Sequence, residues 1–129
     1  MFAKYNDNLA ATLIGIYLLG LASYIVQLFF MTEWWLADNQ IDITAITIAR
    51  VAGAAWCGLF VGMILTFLNG PDGQKTIFWS ICVAQVLCLF WVAHSYLILN
   101  IAAAADDSVI VLVLTILILV GTFRVKSRL

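Results

Sequence analysis

The sequence predicts an all-α membrane protein, a four-transmembrane-helix up-down bundle with both termini on the cytoplasmic, matrix or stromal side. Three observations predict it. Four uncharged apolar runs fill almost the whole chain. Hydrophobic residues make up 65% of its 129 positions and charged residues only 10%, against about 45–50% and about 25% in soluble domains. Lysine and arginine concentrate in alternate connections.

The runs are Leu9–Met31 (23 residues), Val51–Leu68 (18), Thr76–Asn100 (25, with His94 inside it) and Ser108–Phe123 (16). A bilayer core of about 30 Å takes roughly 20 helical residues. Lipid offers no partner for backbone polar groups, so a spanning run of this kind must be helical. The helices are expected at about 9–31, 44–68, 76–100 and 107–123, in one membrane domain covering 1–129. The first run is too long for the apolar region of a cleaved signal peptide, so it reads as a retained helix.

Each element has a local reason. Asn8 is a plausible N-cap for the first helix. Trp34 and Trp35 follow its far end and fit the aromatic belt at the membrane–water interface. The stretch 36–43 reads as a polar loop, and Asp42 or Thr44 can cap the second helix. Asn69-Gly70-Pro71-Asp72-Gly73 must be a turn, so the second and third helices form an antiparallel hairpin. Asp106 and Asp107 suit the first turn of the fourth helix, where the peptide dipoles favour negative charge.

The charges set the orientation. Lys4, Lys75, Arg124, Lys126 and Arg128 lie in the two tails and the second connection. The first and third connections hold Glu33, Asp38, Asp42, Asp106 and Asp107 and no base. The excess of lysine and arginine puts both tails inside.

Polar groups at similar depth gather in the outer half. Arg50 lies well inside the second helix, where a charge costs roughly 2.5–3.5 kcal/mol at a helix centre and less near an end. His94, Gln27, Asn100, Asp106, Asp107 and Glu33 lie at or just above that level. They are the ligand or polar-cluster candidates. One reading is structural: Arg50 pairs with Glu33 or an outer Asp, and His94 donates to a carbonyl. A second is a shallow pocket in which Arg50 grips an anionic or carbonyl group. A third makes neutral His94 a ligand to a pigment or haem metal. Gln85, near the middle of the third helix, should bond to a neighbouring helix. Cys57, Cys82 and Cys88 all lie within helices and read as small packing residues.

Ala54, Gly58 and Gly62 recur every four residues, the spacing that lets two helices approach closely. They form a packing seam, either within the chain or toward another protein. No acid or base pair, nucleophile triad or phosphate loop is present, so no enzyme is expected.

The segment Ala49-Arg50-Val51-Ala52-Gly53 resembles a motif of small four-helix bacterial membrane proteins without assigned function. In these, Ala-Arg-x-x-Gly opens the second helix and a short polar turn precedes the third. It is also similar, more weakly, to the four-helix endoplasmic-reticulum scaffold family of sterol biosynthesis, with Trp56 shortly after the motif and His94 late in the third helix. Ala52 and Ile98 depart from that family, which has an aromatic and an acidic residue there. The resemblance to the scaffold family implies a non-catalytic organiser.

The expected function is thus an accessory or scaffold subunit packing against larger membrane proteins, as in photosynthetic or respiratory complexes. The alternative is a small-molecule, lipid or pigment binder with an outer-leaflet site at Arg50 and His94. In a photosystem, His94, Asn100 or Gln27 would ligate chlorophyll and the helix faces would hold carotenoid. Otherwise no cofactor and no metal are expected. The expected partners are membrane lipids, other integral membrane proteins or a second copy, and not nucleic acid.

Overall fold

In a computed structural model, residues 2–129 are described, with side chains from Lys4 onward. Among the described residues there is no strand, and the helices are α1 (Asn8–Phe30), α2 (Thr32–Asp38), α3 (Ile46–Asn69), α4 (Lys75–Leu97) and α5 (Ala104–Val125). All but the short α2 are long and apolar enough to cross a membrane. The protein is an all-α four-span bundle.

The boundaries differ from the expected ones for local reasons. Asp7, not Asn8, is the N-cap of α1: its backbone is extended and its carboxylate accepts the Ala10 N–H at 2.9 Å. The chain after Phe30 is not all loop, because Thr32–Asp38 coils into α2. Asp42 caps a 3₁₀ turn, Ile43–Ala45, that leads into α3. Helix α3 stops where Gly70 takes φ 102°, a backbone state that side chains disfavour. Helix α4 ends three residues early, at Leu97, and Asn100 turns the chain with φ 56°. Helix α5 starts earlier than expected, so Asp106 and Asp107 do fall in its first turn.

The helices follow one another around the bundle. Helix α1 packs along both α3 and α5, and α4 along α5, whereas α3 and α4 touch sparingly. Their contact lies near the turn that joins them, where a Cβ on Gly62 would stand 2.9 Å from Ile77 Cδ1. The buried residues of α4, namely Phe78, Ile81, Cys82 and Gln85, all lie in its first half. Helices α3 and α4 therefore diverge toward the far end. The main core, with Tyr5, Ile14, Tyr17, Met63, Phe67, Phe78, Ile118 and Val125, sits toward the end that carries the tails.

That end is fastened by polar contacts between segments distant in sequence. Arg124 Nε donates to Asp7 Oδ2 at 2.8 Å, and Arg128 Nη2 donates to Asp72 Oδ2 at 2.6 Å. Lys4 Nζ donates to the Leu68 carbonyl at 2.9 Å, and the Gly73 N–H to the Arg128 carbonyl at 3.2 Å. Both tails and the α3–α4 turn thus share one face, as the charge pattern requires. Among the described residues, the ion pairs are confined to this end.

The clasp has a pH signature. The Ala10 N–H, and then the Arg124 guanidinium, hold the Asp7 carboxyl below the usual carboxylate range. A depressed folded-state pKa contributes stability above the unfolded value of about 3.9, and that contribution disappears as pH falls through the folded value. Thermal unfolding in detergent should therefore be flat from pH 7 to 5 and move to lower temperature below about pH 4. Asp7→Asn should weaken the acid-side fall, and an unchanged profile would show that this carboxylate contributes nothing.

Within the spans, hydroxyls bond back to the helix that carries them. Thr115 Oγ1 donates to the Val111 carbonyl at 2.7 Å and Ser95 Oγ to the Trp91 carbonyl at 3.0 Å. This satisfies a polar side chain in lipid without a partner helix.

Candidate functional site

The polar centre of the bundle is a three-helix link. Tyr17 of α1 donates its hydroxyl to Gln85 Oε1 of α4 at 3.2 Å, and Gln85 Nε2 reaches the Val111 carbonyl of α5 at 3.5 Å. Gln85 thus joins two neighbouring helices, as a buried amide in a membrane should.

Beyond this link, toward the far end, the divergence of α3 from α4 leaves a partly open cavity of about 150 Å³. Helix α1 contributes Gly20, Ser23, Tyr24 and Gln27; α3 contributes Trp56; α4 contributes Gln85 and Cys88; α5 contributes Asp107, Ile110 and Leu114. The stripe Gly20, Ser23/Tyr24, Gln27 follows helical spacing, so one face of α1 supplies one wall. A second cavity of about 200 Å³ continues outward and shares Tyr24 and Asp107 with the first. Trp35, Asn39, Ser95 and Ile101 line it as well.

Asp107 stands at the junction. Its side chain is half-buried, and among the described residues it has no hydrogen bond or ion pair. Asp38 and Asp106 are close enough for their charges to act on it.

The sequence-predicted candidates fall into separate groups. Gln27 and Asp107 meet in the inner cavity. Arg50 does not join them: it is exposed on α3, and its Nε approaches Thr32 Oγ1 at 3.5 Å, not Glu33 or an outer Asp. Glu33 is exposed and unpaired among the described residues. His94 lies on the outward side of α4, against Phe90 and Trp91, in a shallow apolar groove formed by α4 and its C-cap Ile98. No contact joins it to Arg50. Asn100 is exposed and donates only to the nearby Ile98 carbonyl at 3.4 Å, and Asp106 is exposed.

The tryptophan pair divides. Trp34 is exposed, whereas Trp35 turns inward, edge-on to Tyr24 at 6.3 Å between ring centres. The Trp35 Nε1 is buried without an acceptor among the described residues.

The small-residue seam also divides. Ala54 and Gly58 face outward, and a Cβ on Gly58 would meet nothing within 4 Å. Gly62 closes on α4. The tight approach of α1 to α3 is made by Gly53 instead, whose added Cβ would stand 3.1 Å from Leu28 Cβ and 3.5 Å from its backbone carbon.

The cysteines are free; Cys82 is buried and donates to Thr122 Oγ1 at 3.3 Å. No group of three or more metal-ligating side chains occurs among the described residues. In comparisons with models of protein families, with curated proteins and with solved structures, the chain matches none.

Proposed function

We propose that this chain is a non-catalytic accessory or scaffold subunit that packs against a larger integral membrane protein through the outward face of α3. Photosynthetic and respiratory complexes are host settings of this kind. The observation that carries the reading is the free surface at Ala54 and Gly58. Small residues let two helix backbones approach closely, and in lipid such packing drives association because apolar burial between helices does not. Gly53 and Gly62 are closed by the chain's own side chains, whereas Gly58 is open. Most of these 129 residues lie in the four spans, so the surface they offer for recognition is largely helix faces.

The test separates the two glycines. After purification from native membranes in mild detergent, the unmodified chain should be recovered with a larger membrane protein. Gly58→Leu should reduce that recovery about tenfold, equivalent to about 1.4 kcal/mol, with thermal stability unchanged. Gly53→Leu should instead destabilise the isolated chain by about 1–3 kcal/mol through overpacking. Recovery only as a free monomer would overturn the reading.

A further inference from the structure

The outer cavities carry an inference independent of the accessory reading. They hold the Asp107 carboxylate, half-buried in the first turn of α5 and without an ion pair among the described residues. The base available on that side is Arg50, which stands on the exposed face of α3 against Thr32. His94 points away into the groove of α4. The charges of Asp38 and Asp106 add to that of Asp107 and make the approach more negative.

The walls match a cation of a particular kind. Tyr24 and Trp56 supply aromatic surfaces, and Ser23 and Gln27 supply oxygen acceptors. Aromatic faces attract organic cations through the ring quadrupole, most strongly where water is excluded. A volume of about 150 Å³ equals that of an engineered cavity able to hold benzene. It therefore suits a small alkylated ammonium and not a long polyamine. The cavity is mostly apolar, which favours a cation carrying methyl or methylene groups over a strongly hydrated inorganic ion.

Access is from the far end. The outer cavity, beside Asn39 and Ile101, meets the inner one at Tyr24 and Asp107. Asp107 lies in the first turn of a spanning helix, the depth at which lipid headgroups lie. From the cavity, its unpaired carboxylate and its aromatic walls, we infer that the outer half of the bundle binds a small substituted ammonium group, with Asp107 as its counter-charge and Tyr24 and Trp56 as its walls. The group is either a free choline- or ethanolamine-like amine or the headgroup of a phospholipid.

The experiment uses the full chain and two arms. In the first, the protein in detergent without added lipid is titrated with choline chloride, with sodium chloride at equal ionic strength as the control, and tryptophan fluorescence is read. In the second, it is reconstituted in equimolar phosphatidylcholine and phosphatidylglycerol, then released, and the retained lipid is identified by native mass spectrometry. Saturable choline binding that Asp107→Asn weakens tenfold or more supports the site with a free amine as ligand. Retention of phosphatidylcholine over phosphatidylglycerol, lost in Asp107→Asn, supports it with a lipid headgroup as ligand. Should Asp107→Asn fail to fold, Trp56→Leu serves in its place, with binding read by native mass spectrometry because the substitution removes the fluorescent reporter, and it should weaken binding at least threefold. No choline response and no lipid preference in the unmodified chain would overturn the inference, as would equal binding by the folded variants. Loss of partner recovery in Gly58→Leu leaves these readouts unmoved, so the two proposals fail separately.

Discussion

Phe78→Ala should lower the unfolding free energy of the bundle by about 3–5 kcal/mol. Phe78 is fully buried in the first half of α4 and belongs to the cluster with Tyr5, Met63, Phe67, Ile81 and Val125. Helix association in lipid rests on packing contacts, since apolar surface gains little by leaving a hydrocarbon solvent. Truncating the ring deletes many contacts at once, and neighbours on separate helices cannot all close the void. The effect should be large because α3 and α4 touch only near this level. Unfolding in mixed micelles by added denaturing detergent measures it. A change below about 1 kcal/mol would mean that the joined end does not hold the bundle together.

Tyr5 gives the second large effect, and two substitutions give it opposite results. Its ring is 1% exposed and packs on Phe67 at 5.5 Å between centres. Its hydroxyl is buried with no partner among the described residues. Tyr5→Ala removes the ring and should cost about 3–5 kcal/mol. Tyr5→Phe keeps the ring and removes an unsatisfied group whose burial costs about 1–3 kcal/mol, so it should be neutral or stabilising. Alkaline unfolding tests the same point. Burial pushes the Tyr5 hydroxyl up to about 12, with the Arg128 charge pulling the other way. A raised folded-state pKa leaves stability intact below the unfolded value of about 10 and loses it as pH rises toward the folded one. Tyr5→Phe should therefore hold its stability better than the unmodified chain between about pH 10 and 12. A markedly less stable Tyr5→Phe would reveal a hydrogen bond to the hydroxyl.

The helices and their order were legible in the sequence because lipid leaves an uncharged run no other backbone state. The shared face of the tails was legible from Lys4, Lys75 and the three basic residues of the last segment. The pairing of Asp7 with Arg124 was not, since it joins positions 117 apart in sequence and no local pattern announces it. Rotation about each axis was also hidden. Hydropathy gives depth, and it placed Arg50, His94, Gln27 and Asp107 at similar levels. It could not tell that His94 turns out from α4 while Gln27 and Asp107 turn in. Gly58 and Gly62 sit only about 40° apart around a helix, yet one is open and the other closed, because α4 leaves α3 within a turn of Gly62. Trp56 and Gln85 were missed as cavity walls for the same reason. The helical spacing of Gly20, Ser23 and Gln27 is the sequence signal that could have found the lined face of α1, and it went unread.

Fastening at one end has a mechanical consequence. Both tails and the connecting turn bind the helices at one bilayer surface, while α3 and α4 have few contacts at the other. Sparse contact means a low free energy for local opening. The molecule is stiff in one leaflet and compliant in the other. Amide hydrogens of α3 and α4 near the chamber around Asp107 should therefore exchange faster than those beside the clasp.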